Sequence, residues 1–167
     1  MKKDVSLRQE VYRRDAYKII EWLKDDSVTQ YLNEDKDAGK SIENAINTIN
    51  MPILTHLFNN NSSFYIITNK GESIGFIRLI QGKEGAEIVI AIGERALWGL
   101  GLGKAAILEG LKEAFFKWRV NKVVANIRCE NTRSRRAFKT VGFKEVKLME
   151  KEVKYMLTMD EFLKLVS

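Results

Sequence analysis

Residues 5–11, Val-Ser-Leu-Arg-Gln-Glu-Val, alternate apolar with polar side chains, the period of a strand with one buried face. The period then lengthens. Ile19, Ile20, Trp22 and Leu23 recur at helical spacing behind Asp15, and Asp26-Ser27 reads as the cap of a short second helix ending near Tyr31-Leu32. The polar run 33–40 predicts a loop, and Ser41 ahead of Ile42, Ala45, Ile46 and Ile49 predicts a third helix. After that the short period returns. Phe64–Thr68 and Ser73–Ile80 flank Asn69-Lys70-Gly71 as a hairpin would, and a turn at 82–85 leads into the apolar strand Ala86–Ile92. Leu102, Ala106, Ile107, Leu111, Ala114, Phe115 and Trp118 form one stripe of a long amphipathic helix. A strand at 122–127, a basic helix at 132–140, strands at 142–148 and 153–157 and a final helix capped by Asp160 complete the reading.

This order predicts a mixed α/β (α+β) fold, with no repeat or linker to divide residues 1–167 into more than one domain. With 45% hydrophobic and 30% charged residues the chain can build a sizeable core. Apolar runs stop at Ile88–Ile92, far short of the roughly 18 residues that cross a bilayer, so no membrane association is expected. The start carries lysines without an apolar stretch, which predicts a cytoplasmic protein. One cysteine and one histidine leave no internal disulfide and no Cys- or His-based metal cluster. The formal charge of +6 favours polyanionic partners: nucleic acid, acidic lipid or a phosphorylated cofactor.

The segment Trp98-Gly99-Leu100-Gly101-Leu102-Gly103-Lys104 joins the 86–92 strand to the long helix. Glycines at alternate positions leave successive N–H groups unobstructed at a helix N-terminus, an arrangement that holds a pyrophosphate. The P-loop pattern fails here, because Trp98 and Ala105 stand where it needs glycine and a hydroxyl. The alternative role of these glycines is tight strand-to-helix packing. A second constellation runs Asn131-Thr-Arg-Ser134-Arg-Arg-Ala-Phe138-Lys-Thr-Val-Gly142-Phe143.

Together the two segments resemble the GNAT superfamily of acetyl-CoA-dependent N-acetyltransferases. That family carries an R/Q-x-x-G-x-G/A turn followed by an N-x-x-[SA] segment that ends in Gly-Phe. The stretch from Ala86 to Phe143, and Leu7-Arg8 through Tyr31-Leu32 before it, is similar to the branch of ribosomal-protein N-terminal acetyltransferases; spermidine and aminoglycoside acetyltransferases have related patterns. The resemblance covers residues 5–157. It implies a mostly antiparallel twisted sheet flanked by helices, with two central strands splayed into a cleft for the pantetheine arm. Ile90, Ala91 and Ile92 would pair their backbone with that arm, and Trp98 to Lys104 would cradle the pyrophosphate. Asn131, Ser134 and Phe138 would line the same arm, Asn131 also serving as a helix cap. Trp98 in place of Arg/Gln removes one phosphate donor; Lys104, Arg135 and Arg136 are the candidate replacements. Phe138 stands where many members have a Tyr acid, and it has no proton to give.

The implied reaction moves an acetyl group to a primary amine by direct attack in a ternary complex. A free alkyl amine has a pKa of about 10, so a base is required. Glu87, alone among apolar neighbours on its strand, is the candidate base; an ion-paired edge position is its other reading. Ser134 and Tyr155 are candidates for protonating the thiolate. Cys129 reads as a small filler. The acceptor site is expected near Trp22, Tyr31, Glu34, Asp35 and Asp37, whose carboxylates suit a cationic amine. The contrasting functions are a degenerate CoA sensor and a nucleic-acid module on the basic helix, though neither aromatic-interleaved basic strands nor a helix-turn-helix pair supports the latter. A homodimer is compatible with the sequence.

Overall fold

The computed structural model describes residues 3–32, 38–59 and 62–167. A seven-stranded sheet runs through the molecule: β1 (Val5–Arg8), β2 (Ser63–Asn69), β3 (Glu72–Gly82), β4 (Gly85–Ile92), β5 (Lys122–Arg128), β7 (Glu152–Thr158) and β6 (Lys144–Leu148), in that spatial order. All neighbours are antiparallel except β4 and β5, which run parallel. Helices α1 (Arg13–Lys24), α2 (Asp26–Thr29), α3 (Ala38–Thr48) and α4 (Thr55–Phe58) follow β1 in the chain. α5 (Leu102–Lys112) joins β4 to β5, α6 (Thr132–Val141) joins β5 to β6, and α7 (Met159–Val166) ends the chain. The mixed, mostly antiparallel sheet flanked by helices is the fold expected from the sequence.

Each sheet face has its own core. Ile77, Leu79, Ile88, Ala125 and Tyr155 pack with Ala106, Ile107, Phe115 and Phe138 on the side of α5 and α6. Phe64, Ile66, Phe76 and Ala91 pack with Ala16, Ile19, Ile20 and Trp22 on the side of α1 and α3. Strand β2 feeds both clusters, which is why Phe64–Ile67 is apolar without alternation. The β2–β3 hairpin closes through Lys70 (φ 53°) and Gly71 (φ 82°), the two left-handed residues of a tight primed turn.

Several boundaries differ from the pattern reading. Asp15 lies inside the first turn of α1 rather than ahead of the helix, and its carboxylate accepts the Tyr12 N–H at 2.9 Å. Asp25, rather than Asp26-Ser27, caps α2 by accepting the Ser27 N–H. Thr158 and Glu161 form the capping box of α7, leaving Asp160 in its first turn. The long stripe at 102–118 breaks into α5 and a π-turn over Glu113–Lys117. Residues 38–40, expected in a loop, open α3, and α4 was not expected at all.

Asp15 is fully buried and holds three elements together. Arg8 of β1 donates to it at 2.8 and 3.3 Å, and the Ser73 hydroxyl of β3 at 2.6 Å. Burial pushes its pKa up, but the hydrogen bonds from Arg8, Ser73 and Tyr12 outweigh that and leave it below the ordinary carboxylate value of 3.8. A depressed folded pKa stabilises the fold above the unfolded value, and that contribution is lost as pH falls through the folded one. Asp15→Ala should therefore cost about 3 kcal/mol at neutral pH, since Arg8 is left without its anion. In chemical denaturation below pH 4, the variant should also lose less stability with falling pH than the parent.

Candidate active site

Strands β4 and β5 share only two rungs, Ala86 with Val123 and Glu87 with Val124. Beyond them the strands part, and a cavity of about 660 Å³ opens between Ile88–Ile92 on one side and Asn126–Arg128 on the other. The direction of the exposed backbone follows from the ladders. Gly93 donates to Ile74 at 2.8 Å, so odd residues of β4 bond to β3 and even ones turn toward β5. Cys129 donates to Lys151 at 3.0 Å, so even residues of β5 likewise face the gap. The split thus presents the amide groups of Ile88, Ile90, Asn126 and Arg128 to the cavity. Ile92 turns its carbonyl there too, and the Trp98 indole N–H donates to it at 2.8 Å where a strand partner would stand. Of the three residues expected to offer backbone here, Ile90 and Ile92 face the gap, whereas the backbone of Ala91 is turned to Phe76 on β3.

At the end of the split lies the glycine turn. Gly99 (φ 82°) and Gly101 (φ 80°) are in the left-handed region, and Gly101 is the N-cap of α5. Gly103 differs: its φ is not in that region, and a Cβ there would meet nothing within 4 Å. Nothing in the fold requires glycine at 103; what its absent side chain keeps clear is the approach to the helix N-terminus. Trp98, Gly99, Gly101, Leu102, Gly103 and Lys104 all line the cavity. Leu100 does not, and is 52% exposed on the outside of the turn. On the other side of this segment, Gly93 lies so close to the Trp22 ring that a Cβ would come within 2.1 Å of it. The Trp22 indole N–H donates to Glu94 at 3.1 Å, tying the end of β4 to α1.

Across the cavity, Asn131 caps α6 by accepting the Ser134 N–H at 3.3 Å, and it also lines the wall. Ser134 and Phe138 follow on the same side, Phe138 held edge-on against Phe143 at 5.0 Å. The remaining candidates lie elsewhere. Tyr155 is fully buried behind β5; its hydroxyl accepts from Arg135 at 2.9 Å and donates to Glu145 at 3.1 Å, so it does not reach the cavity. Arg135 is spent on that hydroxyl, on Glu145 and on the Cys129 carbonyl, whereas Arg136 does line the cavity. Glu87 sits on the last closed rung, one residue before the wall begins, on the sheet face of Val89 and Ala91. Glu34, Asp35 and Asp37 lie outside the described residues.

Arg133 was not singled out by its motif, yet its guanidinium lies over the Trp98 ring, 3.5 Å from the centroid. Desolvation lowers its pKa, with the Tyr31 phenol acting in the opposite sense. Arg133, Arg136, Ala137 and Thr140 form one stripe of α6 facing the cavity, a pattern that i, i+3, i+4 spacing from Arg133 would have revealed.

The sequence matches the model of the acetyltransferase (GNAT) domain over residues 6–144. No curated protein matches it. The aminoglycoside acetyltransferase AAC(6')-Ib, solved in complex with coenzyme A, superposes with a TM-score of 0.80 at 18% identity, covering 98% of this chain and 99% of that one. Spermidine N-acetyltransferase from Vibrio cholerae, solved with CoA and spermine, gives 0.75 at 18% identity over 96% and 98%. A domain from Methanocaldococcus jannaschii DSM 2661 gives 0.75 at 20% identity over 95% and 100%. The match to the GNAT domain model spans residues 6–144 of 167, and this chain belongs to the GNAT acetyltransferase family.

Proposed function

We propose that the protein transfers the acetyl group of acetyl-CoA to a primary amine by direct attack in a ternary complex. The observation that carries this reading is the parting of β4 and β5 after two rungs, which leaves amide groups of both strands turned into an open slot. A chain with amides of its own, such as pantetheine, matches such edges, because each bond made there replaces one the sheet lacks. The glycine turn supplies N–H groups and the positive end of α5 for a pyrophosphate, and Lys104 and Arg136 add charge for phosphate. The neighbours solved with CoA agree with this fit.

Bound acetyl-CoA supplies an activated thioester carbonyl. The N–H groups of Ile88 and Ile90, turned into the slot, stabilise the negative charge that develops on its oxygen. Ser134, which lines the slot, gives the proton to the departing thiolate; Phe138 has none to give and Tyr155 is enclosed. Glu87, one pleat from Val89 on the wall, receives the amine proton through water. Asn131 fixes the start of α6 and with it the wall that carries Ser134.

Two variants test the reading. Gly103→Leu should keep or raise the melting temperature, because leucine favours a helix more than glycine and the site is open. It should weaken acetyl-CoA about ten-fold or more, a loss of about 1.4 kcal/mol by calorimetry; unchanged affinity would remove the turn from the cofactor site. Glu87→Gln should lower kcat by about 10²-fold or more with acetyl-CoA binding intact, and should remove the acidic limb of the pH–rate profile. A wild-type kcat and profile would leave positioning and backbone contacts to carry the reaction.

A further inference from the structure

We infer that the acceptor amine carries an acidic group, a carboxylate or a phosphate, which Arg133 receives where the cavity opens between α2 and α6. The inference rests on the acetyl-transfer reading above and names the class of its second substrate. The cavity passes through the sheet, and its two sides differ. Leu102, Ile107 and Phe138 belong to the core under α5 and α6, beside the glycine turn. Val28, Leu32 and Trp98 belong with the core of α1 and α3. A cofactor whose phosphates rest on the α5 N-terminus occupies the first side, so an acceptor reaches the thioester from the second.

Among the described residues lining the cavity, the charged ones are Lys104, Arg128, Arg133 and Arg136. Lys104 and Arg136 serve the cofactor phosphates, and Arg133 is the cation that the second side offers to an acceptor. Arg128 leaves β5 on the α1 and α3 face, because Val123, Ala125 and Ile127 take the other. Arg133 lies over Trp98, and Tyr31 is the titratable group that acts on it electrostatically. A guanidinium stacked through its face keeps its edge donors for a planar carboxylate or a phosphate. The flat indole holds it in place before any ligand arrives, which reduces the entropy lost on binding. A polycationic acceptor would bring like charge to Arg133. The expectation of a cationic amine rested on Glu34, Asp35 and Asp37, which lie outside the described residues.

The experiment compares acceptors of matched amine basicity. The C-terminal amides of Ser-Glu, Ser-Gln and Ser-Lys differ only in one side-chain charge, and O-phosphoethanolamine against ethanolamine tests a phosphate in the same way. Spermidine and kanamycin represent polycations. The expected result is a kcat/KM about ten-fold or more higher for the acidic member of at least one pair. In Arg133→Gln that preference should vanish through a higher acceptor KM, with the KM for acetyl-CoA unchanged, and Arg133→Lys should restore part of it. Preferred turnover of the Lys peptide or the polycations, equal turnover within both pairs, or no acidic acceptor at all would overturn the inference. So would an effect of Arg133→Gln confined to the acetyl-CoA KM, which would assign the guanidinium to the cofactor. Calorimetric titration with acetyl-CoA separates the two levels: failure to bind removes the acetyl-transfer reading and this inference with it, whereas binding without acidic-acceptor turnover removes this inference alone.

Discussion

Everything at the site depends on β4 and β5 staying apart after Glu87 and Val124. Two adjacent strands ordinarily continue to pair, because a buried amide left without a partner costs about 1–3 kcal/mol. Here the ladder is kept from closing from both faces. Leu102, Ile107 and Phe138 fill the space beneath the gap, and Trp98 bonds the carbonyl of Ile92 from the other side. The sheet therefore gives up its ladder over the last part of β4 and keeps amide groups in a slot that a ligand can pair. The binding site is the missing portion of the sheet.

The segment that follows β4 is held as tightly as the strand itself. Gly93 allows the Trp22 ring to lie against the backbone, Trp22 bonds Glu94, and Arg95 reaches Asp25 at 3.5 Å and Ser27 at 3.1 Å. These contacts join α1 and α2 to the start of the glycine turn, so the two sides of the cavity share one support. Asp15 extends that support to β1 and β3 through Arg8 and Ser73. Such buried polar contacts are weak evidence of net stability, but they fix which elements meet. A change in α1 is thereby a change in where Trp98 and Tyr31 stand.

The strands and the longer helices were legible in the sequence because their signals are local. Alternation gave β1, the Lys70-Gly71 turn gave the hairpin, and the stripe from Leu102 gave α5. Glycines 99, 101 and 103 marked the turn before α5, although only the structure separates the first two, needed for backbone conformation, from the third, where a side chain would meet open space. What escaped was set by long-range packing. Asp15 read only as a residue ahead of the first helix; its burial by Arg8 and Ser73, from strands 7 and 58 positions away, has no local sign. Tyr155 looked like a candidate acid by type and position, whereas β7 points it into the core, onto Arg135 and Glu145. Glu87 was conspicuous as the one charge on its strand, and which rung would be the last to close depends on where α5 and α6 sit.

The basic character of the chain acquires a direction once the slot is known. A net charge of +6 spread evenly would attract any anion weakly. On α6 it is sorted by helix face: Arg135 and Lys139 meet Glu145 on the β6 side, while Arg133 and Arg136 face the cavity, whose described lining residues include no carboxylate. The paired face anchors the helix, and the other borders the cavity. Because Asn131 starts this helix and Phe138 holds it against Phe143, the same ten residues set the wall of the slot, the cap and the charge that borders it. A helix so committed can tolerate little movement, which ties the shape of the cavity wall to the packing of Phe138 and Tyr155 in the core behind it.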